Sequence, residues 1–365
     1  MTNLSPVALI SRSALRHNLR VVSDRVAPAE LLAVVKDDAY GHGRDTVVRE
    51  LLACGATRFG ALDLDTALAV RALAPDAMIF AWVFDAGDDF VQAIRAGIDI
   101  GVTAADVLER VAAAAAAHAD SAVPVHLKID SGLHRAGVLP SQWREVVIRA
   151  AELERAGLIR VVGLWTHIAE ASDDDDTRAI AEYSWALEEA ARHGIRPRLR
   201  HLAASAAAYG RADARFDMVR VGAFLYGIAP GGGIGPADLG LRPVMTLETP
   251  VLAVTRDGDR ELASIGFGGA LGLLADASGR VSVAIHGARW PVRAVRPTET
   301  IIDVTPTESA QPGSAAAVRV GDVATLFGDG SRGEASLQEW ADAMGTIGEE
   351  LVTRVSALVP RRVVD

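Results

Sequence analysis

The chain has 365 residues, half of them hydrophobic and 23% charged, with a formal net charge of −10. That size and composition describe a globular protein of about two domains, or one large barrel with an attachment. The acidic balance, with no basic stripe interleaved with aromatics, argues against a nucleic-acid footprint. The single cysteine, Cys54, excludes an intrachain disulfide and, without a Cys/His cluster, argues against a structural zinc site.

The opening Met1–Pro6 has neither a basic leader nor a long apolar core, so the expected compartment is the cytoplasm. Val7 to Ser11 reads as a strand, and Ser13 as the cap of a helix carrying Leu15, Leu19 and Val22 at helical spacing. Short apolar runs then alternate with amphipathic segments. The predicted strands are 31–36, 58–62, 77–83, 98–102, 123–130, 159–167, 198–202 and 218–222. The predicted helices are 44–53, 65–73, 90–96, 104–118, 141–156, 176–193 and 203–209. The alanine run Ala112–Ala117 is far shorter than the ~20 apolar residues of a membrane span and reads as helix. About eight evenly spaced β-then-α units point to a (β/α)8 TIM-like barrel, with a doubly wound open sheet as the alternative.

The pattern changes near Pro230. Gly231–Pro236 lacks a lysine of the phosphate-loop kind and reads as a junction. Beyond it, strand-like runs at 244–254, 281–286, 300–304 and 322–327, and a helical segment at 336–352, predict a smaller, mostly β C-terminal domain. The expected division is residues 1–11 as an N-terminal strand joining the β domain, 12–230 as the barrel and 231–365 as the β domain. Asp173–Asp176 precedes a helix, where acidic groups complement the helix dipole. Metal binding is the alternative there, but no metal is expected.

The chemistry-bearing residues fall at the C-terminal ends of the barrel strands, where barrels of this kind do their work. Lys36 ends the first strand after Ala33-Val34-Val35, a setting that disfavours a charged ammonium and suits a carbonyl-directed nucleophile. The plain alternative is a lysine that ends a strand and reaches water. Lys128 and Asp130 end the fifth strand, with Arg135 just beyond, and Thr166 and His167 end the sixth. Ser205 opens the helix after the seventh, and Arg220 with Gly222 closes the eighth. Singly these read as a core histidine, an ion-pair arginine or a helix cap. Together, a lysine, aromatic rings, an arginine and a helix N-terminus fit pyridoxal 5'-phosphate (PLP), which needs an imine-forming lysine, a group at the ring nitrogen and a phosphate cradle.

Five blocks carry a family likeness: Ala33-Val34-Val35-Lys36-Asp37-Asp38-Ala39-Tyr40-Gly41-His42-Gly43, Leu127-Lys128-Ile129-Asp130-Ser131-Gly132-Leu133-His134-Arg135, Gly163-Leu164-Trp165-Thr166-His167, His201-Leu202-Ala203-Ala204-Ser205-Ala206, and Phe216 through Gly227. In order and content the chain resembles the fold type III, PLP-dependent alanine racemases along nearly its whole length. The resemblance implies an isomerase interconverting L- and D-alanine or acting on another small amino acid, and a homodimer with shared active sites. Lys36 would bind PLP covalently and move one proton. Tyr40, Ser205 and the backbone at Gly222 and Ala223 would hold the phosphate. His167 would pack on the cofactor ring, and Arg220 would face the pyridine nitrogen. Arg135 would contact the phenolic oxygen and the substrate carboxylate. Lys128 matches the lysine often carbamylated in the family, which positions that arginine.

The β domain departs from the family. Its Gly-Tyr-Ala-Asp-Gly motif, whose tyrosine is the second base, corresponds to Gly266-Phe267-Gly268-Gly269-Ala270, so Phe267 stands in the tyrosine's place. Pro297-Thr298 replaces a Met-Asp pair, Glu349 a phosphate-binding tyrosine and Ala204 an asparagine, while Asp37-Asp38 stands where an uncharged pair is usual. Three alternatives to racemisation follow. One is one-base chemistry (transamination, elimination or retro-aldol cleavage), another is a non-catalytic PLP-binding protein. The third is a single-barrel PLP-homeostasis protein, which the long β-rich tail argues against.

Overall fold

Strand β1 (Val7–Ser11) leads into a helix, Arg12–Val26. Ser11 caps that helix, its Oγ accepting from the Ala14 N–H at 3.0 Å, whereas the expected cap, Ser13, hydrogen-bonds the Asp365 carboxylate. The computed structural model describes residues 5–306 and 317–365. They divide into a barrel unit, Val22–Lys36 with Leu51–Gly222, and a β unit, Met1–Val21 with Asp37–Glu50 and Ala223–Asp365.

In the barrel unit the strands are β2 (Glu30–Val34), β3 (Arg58–Leu62), β4 (Met78–Ala81), β5 (Asp99–Val102), β6 (Val123–Gly132), β7 (Ile159–His167), β8 (Leu199–His201) and β9 (Met218–Val221). All pairings are parallel, in the order β8-β7-β6-β5-β4-β3-β2-β9. The ring closes where Asp217 N–H donates to the Arg200 carbonyl and Arg220 N–H to that of Ala203, both at 3.1 Å. The open-sheet alternative is therefore set aside. Leu32, Phe59, Ile79, Ile100 and Leu127 are fully buried, as both faces of a parallel strand must be. The four aspartates lie inside the first turn of the helix Asp173–Arg192, which Ser172 caps by accepting from the Asp175 N–H.

The β unit contains β10 (Met245–Asp257), β11 (Arg260–Ile265), β12 (Ser282–Ile285), β13 (Ala288–Val295), β14 (Thr300–Asp303), β15 (Val323–Gly328), β16 (Ala335–Ser336) and β17 (Arg361–Val364). Long β10 pairs with β1, β11 and β15, so β10-β11-β14-β13-β12-β15 return on themselves as a closed six-strand ring. Strands β11, β13, β16 and β17 carry no clean alternation of apolar residues and were not expected; arginines occur in β11, β13 and β17, a proline in β13, and β16 is only two residues long. The helical run expected over 336–352 is two helices, Leu337–Met344 and Gly348–Arg354, broken where Gly345 turns left-handed at φ +69°.

Asn18 locks the helix Arg12–Val26 to the β unit's own chain. Its amide, itself buried, donates to the Leu225 and Arg242 carbonyls at 3.1 and 2.8 Å and accepts from the Arg242 N–H at 2.8 Å. Truncating it strands one buried and two part-buried backbone groups. Asn18→Ala is therefore expected to lose about 2–4 kcal/mol in denaturant unfolding; a loss below about 0.5 kcal/mol would show that the bonds are dispensable.

Candidate active site

Strand β2 stops at Val34, two residues before Lys36, because the backbone then winds the other way. Asp37, Asp38, Ala39 and Tyr40 all have φ between 53° and 55°, a left-handed turn of four non-glycine residues. Each such residue costs roughly 1–2 kcal/mol, so the turn survives only where the surroundings over-determine it, as functional sites do. Gly41 N–H bonds to the Asp37 carbonyl at 2.8 Å and Gly43 N–H to that of Asp38 at 3.0 Å. Asp38 Oδ1 accepts from the Arg44 N–H at 2.8 Å, and Arg361 donates to the Gly41 carbonyl at 2.9 Å. A side chain at Gly41 would run into the Val352 carbonyl. The Tyr40 and His42 rings both lie against Tyr226, with centroids 4.9 and 4.7 Å away. Lys36 itself is half-buried.

In the barrel unit, the Arg220 guanidinium is buried and donates to four acceptors: the Thr166 carbonyl at 2.7 Å, the Leu202 carbonyl at 3.1 Å, His201 Nδ1 at 3.0 Å and His167 Nδ1 at 3.1 Å. Its carbon sits 5.0 Å from the Trp165 ring centroid. Burial lowers Arg220 to about 10, so the group stays cationic at neutral pH. His167 is driven well below the ordinary imidazole value, first by lost hydration and then by Arg220, Arg135, Lys128 and Lys36. Arg220 touches the ring, and the other three charges act on it electrostatically.

The Lys128 ammonium is buried, donates to the Ala136 carbonyl and lies 5.2 Å from the Trp165 centroid. Desolvation, Arg220 and Arg135 bring it down to about 8. Its bond fixes the loop that carries exposed Arg135. Asp130 Oδ1 is buried without a partner beside it. Ser205 Oγ accepts from the Gly222 N–H at 3.2 Å. The helix N-terminus expected to offer N–H groups to a phosphate is already engaged, since Ala207 N–H donates to the Glu170 carboxylate at 2.7 Å. Among the described residues no cluster of metal-ligating side chains occurs.

The sequence reading missed Trp165, Tyr183 and His201 as members of this set. Tyr183 donates to the Leu164 carbonyl and accepts from the His201 N–H at 3.0 Å, tying two strand ends together. One available signal was overlooked: the chain has only two lysines, Lys36 and Lys128, and both lie next to a barrel strand end or within one. Where arginine supplies nearly every surface cation, a retained lysine marks a need for an amine.

Comparison with known proteins decides the family. Residues 10–230 match the N-terminal domain of alanine racemase and residues 251–363 its C-terminal domain. The chain belongs to the alanine racemase family. It is 36% identical over 373 residues to the alanine racemase of Thermobifida fusca (strain YX), covering 97% of this chain and 96% of that one. Identity to the Streptomyces coelicolor enzyme is 37% over 382 residues, with coverage of 97% and 94%. The solved alanine racemase from Streptomyces coelicolor A3(2) superposes with a TM-score of 0.93 at 35% identity, covering 100% of this chain and 99% of that one. Alanine racemases are PLP-dependent isomerases. Phe267 has no ionisable group and its side chain is 1% exposed, within the β unit's own packing.

The Lys128 shift has a sign that can be tested. Its amine binds a proton less readily folded, at about 8, than unfolded, at 10.5. Wild-type stability therefore rises from pH 8 to pH 10.5, and the full burden, ~3 kcal/mol, is carried below pH 8. Lys128→Met strands one carbonyl, worth ~1 kcal/mol. In buffer freed of carbon dioxide the variant is expected to be more stable by ~2 kcal/mol at pH 7, and the gain to vanish by pH 10.5. An advantage that does not change with pH would contradict this.

Proposed function

We propose that this chain is a PLP-dependent alanine racemase of the cytoplasm, working as a homodimer. The observation that supports it best is the buried Arg220 hydrogen-bonded to His167, with the charges of Arg135, Lys128 and Lys36 also acting on that ring within one barrel unit. A ligand bearing a phosphate, meeting a substrate bearing a carboxylate, needs such an excess of cations. The match to alanine racemases over both halves of the chain favours racemisation over one-base chemistry or PLP binding without catalysis. Among the described residues no helix is long and apolar enough to cross a membrane. The proposed division of labour is residues 12–230 for cofactor binding, with 1–11 and 231–365 as the β domain.

The donor set suits the cofactor. Ser205 Oγ, accepting from the Gly222 N–H, keeps its own hydroxyl hydrogen to donate to a phosphate. When bound, PLP supplies an electron sink that makes the substrate Cα–H acidic. Arg220 is the group for the pyridine nitrogen, and because it stays protonated it leaves no proton there to give. His167 provides the flat wall for the ring. Arg135, its loop held by Lys128, is placed in the role of receiving the phenolic oxygen and the substrate carboxylate. Lys128 is the lysine for carbamylation, its amine half free at about pH 8. Lys36 anchors the cofactor and carries the proton on its side of the substrate. Tyr40 and Ala223 enter as phosphate contacts through the family motif alone.

Leu252 on β10, Val320 before β15 and Val323 at its start are exposed near the point where the Val251 N–H meets the Asp322 carbonyl, and apolar groups so placed support the homodimer. The position of Phe267 deprives the second proton transfer of the family's phenol. A positioned base is worth about 10²–10⁴-fold, so the two directions of exchange should be unequal. Incubating the protein with L- or D-alanine in D₂O is expected to give racemisation, with Cα exchange from one enantiomer at least tenfold faster than from the other. No exchange from either enantiomer would overturn the proposed activity, and equal rates would show that another group does the work of the phenol.

A further inference from the structure

A line of four side chains runs through the barrel unit to Arg220. Asp99, the first residue of β5, places Oδ2 3.1 Å from His126 Nε2. His126 Nδ1 is 2.9 Å from His201 Nε2, and His201 Nδ1 is 3.0 Å from Arg220 Nη1. His126 and His201 are wholly buried, while the Asp99 side chain keeps 17% exposure at the open end. Aromatic walls exclude water from it. Phe80 lies 4.6 Å from the His126 ring, and Trp165 stacks on His201 at 5.7 Å and 6°. Gly163, opposite His126 in the β6–β7 register, has no side chain because one would overlap the imidazole.

The chemistry of the end members leaves one arrangement of protons. A guanidinium only donates, so His201 Nδ1 must accept. A neutral imidazole has one N–H, which in His201 is then on Nε2 and points at His126 Nδ1. That nitrogen must accept in turn, which puts the His126 proton on Nε2, facing the Asp99 carboxylate. Burial and the Arg220 charge keep His201 neutral, as this requires. The other arm of the guanidinium imposes the same rule on His167, whose Nδ1 accepts and whose Nε2 carries the hydrogen. The reverse arrangement would set two N–H groups against each other in a dry interior and forfeit every bond in the line.

We propose that Asp99, His126 and His201 form a one-directional hydrogen-bond relay across the barrel that holds Arg220 in place and, through it, fixes the His167 proton on Nε2. Asp99 and His126 are positioning residues, acting on the site from its far side. The relay stands on the geometry above; its effect on turnover rests on the proposed racemase reading.

Without an acceptor at Asp99, the His126 Nε2 hydrogen is left unpaired in a buried interior, although Arg220 still dictates which nitrogens carry hydrogens. The line loses its anchor at the open end, and His126, His201 and the guanidinium are free to shift along it. Asparagine can still accept through its amide oxygen, and leucine cannot. Long-range ¹H–¹⁵N NMR of the wild-type protein labelled in its histidines is expected to show the Nε2–H tautomer at His126, His201 and His167. Asp99→Asn should preserve that pattern and keep kcat within about threefold, whereas Asp99→Leu should keep the tautomers that Arg220 dictates but shift the His126 Nε2–H resonance, now without its acceptor, and lower kcat for alanine at least tenfold. An Nδ1–H tautomer at His201 in the wild type overturns the relay without any variant. The expected tautomers with an Asp99→Leu protein as active as the wild type overturn the positioning role. A wild type inactive on alanine counts against the proposed reaction, and the tautomers then decide the relay alone.

Discussion

Everything at the rim of the barrel answers to one buried guanidinium. Arg220 cannot shed its proton, and removing a charge from water costs several kcal/mol unless its hydrogens find acceptors. The barrel supplies two strand-end carbonyls, two imidazoles and the face of Trp165. Burial first and the fixed charge second take freedom from its neighbours: His167 and His201 are neutral, and Lys128 binds its proton weakly. A site built this way discriminates by charge and by the direction of hydrogen bonds before any ligand arrives.

That constraint explains why a lysine-poor chain keeps two lysines. An arginine at either position would add a charge that can never be withdrawn. Lys128 can become an amine near neutral pH, and Lys36, held by an energetically costly left-handed turn, is the other residue able to bond to a carbonyl carbon. The turn and the guanidinium are complementary devices. One places backbone strain directly after Lys36, and the other places a desolvated charge that keeps an electrostatic environment constant.

Much of the barrel was legible in the sequence because each parallel strand, buried on both faces, stands out as an apolar run between helical periods. Site residues were legible as departures from those runs: Lys128 is a polar residue inside β6 and Arg220 one inside β9, while His126, also inside β6, was passed over. What could not be read was who meets whom. The Arg220–His201 contact depends on two strands closing a ring, and Glu170 reaches the Ser205 helix from a preceding loop. The β unit hid more, since Arg260–Ile265 and Arg361–Val364 pair through backbone groups, which side-chain patterns do not announce. Phe267 shows the limit from the other side. Its chemistry was plain in the sequence, while its burial came only from the fold.

The central claim is that the rim holds PLP on Lys36, and it can be put to one direct measurement. Only Lys36, Lys128 and the chain's amino terminus carry a primary amine. Borohydride reduction of the purified holoprotein, followed by peptide mass mapping, identifies which of them is joined to the cofactor. The account expects a single pyridoxyl mass on the peptide containing Lys36. A label on Lys128 instead, or no label on either lysine, would contradict it.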